Sequence, residues 1–234
     1  GDFMTAPGLH PLLGAALARL AVSTWERLDR PTPFRWTEFG AGSGTLLLAA
    51  LRYLAREKSP LLEALEIQAI EANPHRRREL LDAAANLAIT PAPRLIEASS
   101  DAALETTSTT ESVADGIVVA NEFLDALPVH IVVGRRNAPS GFLERRVGVD
   151  AESGAFIWVE AAPDDATARR LAARVAAHAA AAAPLVEGQL AEFSLAADEW
   201  VAALPQRIAR GIVVVIDYGR DTAALRDPAT RMAG

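Results

Sequence analysis

Three glycines and two glutamates in the first third of the chain have types and spacing that could bind a nucleotide. Gly40, Gly42 and Gly44 stand in the segment Glu38-Phe-Gly-Ala-Gly-Ser-Gly44, where the missing side chains allow positive φ and a close approach of the backbone to a ligand. Glu71 ends the next hydrophobic run, and a carboxylate there can accept hydrogen bonds from both hydroxyls of a ribose. The pattern predicts a nucleotide-binding loop with Glu71 on the ribose.

The spacing of the glycines helps to distinguish which nucleotide the loop binds. The dinucleotide fingerprint is G-x-G-x-x-G, but here the third glycine comes one position early and Thr45 stands where that pattern needs glycine. Glu38, two residues before Gly40, would repel a pyrophosphate. It suits a ligand that carries an ammonium and a sulfonium, such as S-adenosylmethionine, whose carboxylate can meet the N–H groups at the helix start. We predict S-adenosylmethionine, with NAD(P) and a ligand-free strand–helix turn as the alternatives.

A second polar cluster follows a later hydrophobic run. Asn121, Glu122, Asp125 and His130 combine an amide, two carboxylates three residues apart and an imidazole. In doubly wound sheets the ligand crevice lies outside the carboxyl ends of the strands, so the cluster is predicted to face the glycine loop. The alternative is an ordinary polar loop before Pro128. His130 stands at the start of a predicted strand, where it is either a structural residue or a proton acceptor.

The elements that must position these residues alternate between strand and helix patterns. Predicted strands of one sheet cover 34–39, 66–71, 94–97, 116–120 and 212–217. Helical spacing of apolar residues predicts a helix from about Leu9 that ends before Pro31, and further helices over 45–57 and 74–86. Asn73 is the predicted cap of the last of these, with Pro74 at its first position. This alternation predicts an α/β fold with a doubly wound, mostly parallel, Rossmann-like sheet.

The region between the fourth and last predicted strands has a different order of predicted elements. Short strands over 129–133, 142–149 and 156–159, and an alanine-rich helix over 166–183, predict a small inserted α+β unit at about 129–195 of one domain that spans 1–234. A helix is predicted over 198–210. Trp158 and Trp200 are expected to pack between layers. The segment Asp217-Tyr218-Gly219 ends the last predicted strand. It is either an ordinary turn at the end of the strand or a part of the substrate side of the site, and the sequence favours neither.

Composition excludes several classes of protein. The 234 residues are 50% hydrophobic, carry a net charge of −7 and include no cysteine. A disulfide scaffold, a zinc ribbon and a thiol nucleophile are therefore excluded, and the charge argues against a nucleic-acid partner. The four histidines show no metal-ligand spacing, so no metal is predicted. No apolar run reaches the roughly 18–20 residues of a membrane-spanning helix. We predict a soluble protein of the bacterial cytoplasm.

Five segments, taken in order, carry a resemblance to a known family. They are Gly1-Asp-Phe-Met-Thr-Ala-Pro7, Glu38-Phe-Gly-Ala-Gly-Ser-Gly44, Ile70-Glu-Ala-Asn-Pro74, Val119-Ala-Asn-Glu-Phe-Leu-Asp-Ala-Leu-Pro-Val129 and Ile216-Asp-Tyr-Gly219. Together they resemble the MidA-type S-adenosylmethionine-dependent methyltransferases, whose mitochondrial relatives are complex I assembly factors that methylate a protein arginine. The Asn-Glu-x-x-Asp-Ala-x-Pro signature is the most specific part. Family members continue on both sides of this chain, so we expect both ends of the family domain to be missing here, and Glu105–Glu111 departs from the family's shorter loop.

The resemblance implies a protein substrate that presents an arginine, with a respiratory-complex subunit as one possibility. Glu122 and Asp125 would hold the guanidinium as catalytic residues, because carboxylates match its planar fork in paired hydrogen bonds. Asn121 would position cofactor or substrate. The residues implied to bind the cofactor are Gly1, Asp2, Phe3, Thr5, Glu38, Gly40, Ala41, Gly42, Gly44, Glu71, Ala72, Ser99, Ser100 and Asn121. Two alternatives remain: a methyltransferase for a small molecule or another residue type, and a cofactor-binding assembly factor with little turnover.

Overall fold

A five-stranded parallel sheet forms the centre of the first unit of the chain. The computed structural model describes residues 11–98, 114–181 and 183–219. The strands are β1 (Phe34–Phe39), β2 (Leu65–Ile70), β3 (Arg94–Ala98), β4 (Gly116–Asn121) and β9 (Gly211–Ile216). Their order is β3-β2-β1-β4-β9, and every neighbouring pair is parallel. This sheet confirms the predicted α/β class, and its strand order is that of a doubly wound fold.

The sheet buries both of its faces, as β4 shows most clearly. Ile117 and Val119 belong to one core cluster, together with the first two long helices, whereas Val118 and Ala120 belong to a second cluster with Trp200. Successive side chains of a strand point to opposite faces. The continuous apolar run of β4 is therefore the signature of a strand covered on both sides, which parallel sheets require.

Three helices of this unit correspond to the predicted ones: α1 (Leu12–Arg27), α2 (Thr45–Arg56) and α4 (Pro74–Ala85). The four-residue helix α3 (Leu61–Ala64), between α2 and β2, was not predicted. The side chain of Asn73 accepts hydrogen bonds from the backbone N–H of His75 (2.9 Å) and Arg76 (3.4 Å). These bonds satisfy donors that the first turn of α4 leaves free. The predicted cap at Asn73 with Pro74 in the first position is confirmed.

A four-stranded antiparallel sheet forms the second unit. Its strands are β5 (His130–Gly134), β6 (Phe142–Val149), β7 (Phe156–Ala161) and β8 (Leu190–Phe193), in the order β7-β6-β5-β8. Helix α5 (Asp165–Ala181) packs Leu171 against the core residues Val132, Phe142 and Phe193. The two compact units comprise residues 127–198 and the remainder of the described chain up to Tyr218. One methyltransferase domain with an insertion stays a prediction.

Two sequence predictions near this unit are wrong. Trp158 is 59% exposed on the edge strand β7 rather than packed between layers, while Trp200 is buried as expected. The helix predicted over 198–210 is α6 (Leu195–Ala203), followed by a 3₁₀ turn at Leu204–Gln206. The hydroxyl of Ser194 accepts a hydrogen bond from the backbone N–H of Ala197, so the helix begins earlier. Pro205 lacks a backbone donor and ends the α-helical ladder.

The helices within the described ranges differ in length and in polarity from a membrane-spanning helix. Each of them is too short or too polar to cross a bilayer.

Candidate functional site

The loop between β1 and α2 has the geometry that its glycines permit. Gly40, Gly42 and Gly44 have φ of 66°, 56° and 82°, which lies in the left-handed region that side chains disfavour. The N–H groups of Gly40 and Ala41 both donate to the carbonyl of Ile70 at the end of β2, at 2.9 and 3.1 Å. The loop is therefore fixed at the carboxyl end of the sheet.

The same loop depends on two close contacts. A Cβ at Gly40 would lie 3.1 Å from Cδ2 of Phe123, and one at Gly44 would lie 2.9 Å from Cγ of Leu80 on α4. Phe123 lies between Glu122 and Asp125 of the polar cluster that follows β4. The structure thus brings the glycine loop and the Asn121–Asp125 segment into direct contact, although some eighty residues separate them in the sequence.

Glu71 connects the glycine loop to the end of β2. Its Oε2 accepts a hydrogen bond from the N–H of Gly42, and its Oε1 accepts one from the N–H of Asn73, both at 2.7 Å. Each carboxylate oxygen has a second lone pair. The side chain therefore holds the loop while it retains acceptor capacity for the hydroxyls of a ligand.

Glu38 lies deeper than its sequence position suggested. Its side chain is only 3% exposed, and the carboxylate accepts a hydrogen bond from the indole N–H of Trp36 at 3.3 Å. Burial raises the pKa of Glu38 from 4.5 to about 8, against the smaller opposing effect of the Trp36 hydrogen bond. Without a cation beside it, Glu38 is mostly protonated at pH 7 and is not the open carboxylate that its sequence position predicted. A ligand ammonium would favour its ionised form.

The turn after β4 is held by the end of β9. Asn121 pairs with Ile216 in the parallel register, and the N–H of Glu122 donates to the Ile216 carbonyl at 2.8 Å. Oδ2 of Asp217 accepts hydrogen bonds from the N–H groups of Leu124 (2.8 Å) and Asp125 (3.3 Å). Asp217 therefore shapes the turn that carries both candidate catalytic carboxylates.

Tyr218 completes this side of the site. Its hydroxyl lies 3.3 Å from Oε1 of Glu122, to which it donates a hydrogen bond. The negative charge of Glu122 raises the pKa of the Tyr218 phenol above its usual 10.0, and the charges of Asp125 and Asp217 act in the same direction. Glu122, Asp125 and Asp217 therefore create one region of negative potential around the Tyr218 hydroxyl.

Three aromatic rings support the contact between the two motifs. The centroids of Phe39 and Phe123 are 5.5 Å apart, those of Phe39 and Trp200 are 5.3 Å apart, and those of Phe123 and Trp200 are 5.5 Å apart. Such tilted and edge-on pairs contribute beyond the burial of area. The cluster fixes Phe123 and with it the backbone of the acidic turn.

The remaining predicted site residues are distributed as follows. Ala41 is buried within the glycine loop, Ala72 is exposed after β2, and Asn121 is half-buried. His130 belongs to the second unit, where Nδ1 lies 2.7 Å from Oε1 of Glu144. That contact is consistent with its structural interpretation. Six predicted residues lie outside the described part of the chain: Gly1, Asp2, Phe3, Thr5, Ser99 and Ser100.

The described residues fit a cofactor of the predicted kind. Among the described residues, no atom would lie within 4 Å of a Cβ at Gly42, so these residues leave the space beside it open to a ligand. Glu71 stands at one side with acceptor capacity for hydroxyl groups, and the buried Glu38 can balance a cation. These are the groups that an adenosyl ribose and an amino acid moiety need.

Comparisons with known proteins extend these observations. Residues 16–233 match the model of a family described as S-adenosyl-L-methionine-dependent methyltransferases. A Drosophila melanogaster protein named "Protein arginine methyltransferase NDUFAF7 homolog, mitochondrial" is 27% identical over 239 residues, which covers 94% of this chain and 50% of that protein. The Rattus norvegicus protein arginine methyltransferase NDUFAF7 is 27% identical over 168 residues, which covers 65% of this chain and 37% of the rat protein.

Two crystal structures from Burkholderia thailandensis are similar to this chain. The first is 30% identical with a TM-score of 0.71, over 95% of this chain and 52% of the other. The second is 31% identical with a TM-score of 0.68, over 94% and 50% respectively, and contains S-adenosyl-homocysteine. The chain therefore spans about half the length of the Drosophila melanogaster relative and of both crystallised proteins.

Proposed function

The chain belongs to the S-adenosylmethionine-dependent methyltransferase family, and we propose that it transfers the methyl group to an arginine side chain of a protein. The family match covers residues 16–233. The cofactor that the glycine loop predicted is therefore S-adenosylmethionine, and the NAD(P) alternative is dropped.

One observation carries the proposal for the acceptor: Phe123 packs directly on Gly40. This contact places the turn with Glu122 and Asp125 beside the loop that we assign to the cofactor. The charges of both carboxylates raise the pKa of the Tyr218 phenol, and Glu122 also accepts a hydrogen bond from its hydroxyl. A planar cation that enters here would meet two carboxylates next to the methyl donor.

An arginine acceptor needs such an arrangement because its guanidinium stays protonated, with a pKa above about 12. Glu122 and Asp125 can hold the fork through charge-assisted hydrogen bonds and keep the positive charge away from the reacting nitrogen. Bound S-adenosylmethionine supplies a methyl carbon on a sulfonium, and the sulfur keeps the electron pair of the broken bond. The attacking nitrogen must lie about 3–3.5 Å from that carbon, in line with the bond. It loses a proton, which one of the two carboxylates accepts.

The relatives support the same acceptor. Two of them, from Drosophila melanogaster and Rattus norvegicus, are named protein arginine methyltransferases, each at 27% identity. The match to the fly protein runs through the whole described site, because it covers 94% of the chain.

The test separates cofactor binding from arginine methylation. Glu122→Gln and Asp125→Asn keep the shape of each side chain and remove its charge. We expect each to bind S-adenosyl-homocysteine like the wild type in calorimetry. Each should form methylarginine roughly 10- to 100-fold more slowly, the effect of losing a charge-assisted hydrogen bond. Methylarginine is measured by mass spectrometry after incubation with an extract of cells that lack the gene.

Glu152→Gln serves as the matched control because Glu152 is an exposed glutamate of the second unit. It should leave both measurements unchanged. Methylation of another residue type or of a small molecule by the wild type would contradict the arginine proposal. Cofactor binding without any methyl transfer would instead favour an assembly factor.

A further inference from the structure

The ring of Tyr218, next to the acidic turn, is exposed to solvent rather than packed in the core. Tyr218 follows β9 and remains 73% exposed, so burial of its ring contributes little to stability. Its hydroxyl nevertheless donates a hydrogen bond to Glu122. We propose that Tyr218 is a further catalytic residue of the acceptor site: its hydroxyl holds Glu122, and its ring covers the bound guanidinium. This inference rests on the proposed arginine acceptor.

The backbone around Tyr218 is anchored by the same side chain as the acidic turn. Oδ1 of Asp217 accepts a hydrogen bond from the N–H of Tyr218 at 2.8 Å, while Oδ2 accepts from Leu124 and Asp125. One carboxylate therefore connects the start of the tyrosine to the turn that carries Asp125. This link fixes the position of the exposed ring relative to the turn that carries the two catalytic carboxylates.

Glu122 has a backbone conformation that requires support. Its φ of 48° places a non-glycine residue in the left-handed region, which is uncommon and concentrates at functional sites. The Ile216 carbonyl holds its N–H, and the Tyr218 hydroxyl holds its carboxylate. The two bonds fix the direction of the Glu122 side chain before an acceptor binds.

The electrostatics of the ring suit a cation. The negative charge of Glu122 raises the pKa of the Tyr218 phenol, and the charges of Asp125 and Asp217 act in the same direction. Guanidinium groups bind over the faces of aromatic rings, and they bind more strongly when water is displaced. An arginine held by the two carboxylates would therefore gain a third contact from the Tyr218 ring.

The experiment removes the hydroxyl and the ring separately. Tyr218→Phe loses the bond to Glu122, and Tyr218→Leu loses the aromatic face as well. Tyr53→Phe on α2 is the matched control, because Tyr53 is the other of the two tyrosines in the chain. The whole protein is assayed with the same cell extract for methylarginine, and by calorimetry with S-adenosyl-homocysteine.

We expect Tyr218→Phe to slow methylarginine formation by about tenfold and Tyr218→Leu to slow it by several times more. Affinity for S-adenosyl-homocysteine should stay within about twofold in all three variants, and Tyr53→Phe should be fully active. If Glu122→Gln is impaired while both Tyr218 variants are fully active, this inference is overturned and the arginine proposal stands. Loss of S-adenosyl-homocysteine binding in Tyr218→Phe would also overturn it. A wild type that makes no methylarginine overturns both.

Discussion

The buried carboxylate of Glu38, which can balance a ligand cation, makes the stability of the folded chain depend on pH. In the folded chain burial holds its pKa at about 8, whereas the unfolded chain has the ordinary value of 4.5. The folded state therefore binds this proton more tightly than the unfolded state does. The contribution of Glu38 to stability is fully present below about pH 4.5 and is lost as the pH rises through 8.

Glu38→Gln should consequently make the protein more stable, and more so at higher pH. The amide keeps an oxygen for the Trp36 indole but has no proton to lose. Between pH 5.5 and 7.5, the difference between the free energies of unfolding of the variant and the wild type should rise by roughly 1.4 kcal/mol for each pH unit, in favour of the variant. Denaturant unfolding at the two pH values measures this difference.

The control for this prediction is Glu57→Gln, which changes an exposed glutamate just after α2. It should alter stability little at either pH. A stability gap between Glu38→Gln and the wild type that is the same at pH 5.5 and 7.5 would contradict the assigned pKa.

At the scale of the elements, the end of β9 acts as the template for the turn after β4. Asp217 accepts three backbone hydrogen bonds, from Leu124, Asp125 and Tyr218. Asp217→Ala removes this acceptor, and loss of the partly buried bond from Leu124 costs about 0.5–1.5 kcal/mol. The N–H groups of Asp125 and Tyr218 are exposed and can bond to water instead. We expect faster hydrogen exchange of the Leu124 and Asp125 amides and a large loss of methyl transfer. Exchange of the β1 amides should change little.

Asp150→Ala is the matched control for that experiment. Asp150 likewise organises a turn by accepting hydrogen bonds from the N–H and the hydroxyl of Ser153, but in the second unit. The variant should loosen its own turn without changing exchange at residues 122–125. Unchanged exchange at Leu124 in Asp217→Ala would show that the turn holds itself.

The elements that sequence predicts well are those with a strong local signal. The apolar run of β4 and the Asn73–Pro74 helix start correspond closely to the structure, because burial on both faces and capping depend on neighbouring residues. The four-residue strand β8 carries too short a pattern to detect. Trp158 was expected to be buried because of its residue type, but exposure depends on its place at a sheet edge.

The candidate site likewise has a part that local sequence predicts and a part that depends on the folded chain. The glycine loop, Glu71 and the acidic turn are visible as sequence motifs, and their assigned roles stay predictions. The hydrogen bond between Asp217 and Leu124 joins residues 93 positions apart, and the burial of Glu38 depends on the packed sheet around it. Sequence spacing contains neither relation, because both arise only when β4 pairs with its neighbours.

At the scale of the whole molecule, the hairpin of β6 and β7 leaves apolar side chains in water. Val147 lies opposite Trp158 and Val149 lies opposite Phe156, so these four side chains share one face. All four are exposed, and Phe156 reaches 82%. Strand β7 is also an edge of its sheet, with backbone groups available for pairing. Exposed apolar edges of this kind promote association.

The 234-residue chain by itself should therefore self-associate through this hairpin. We expect sedimentation velocity to show a concentration-dependent shift to larger species, and Phe156→Lys to move the shift to at least about tenfold higher concentration, because a charge on an edge strand opposes pairing. Val186→Lys is the matched control, since Val186 is 63% exposed in the same unit but lies outside the strands. If Val186→Lys suppresses association as strongly as Phe156→Lys, general surface charge explains the effect. If the wild type stays monomeric at high concentration, the exposed hairpin does not drive association.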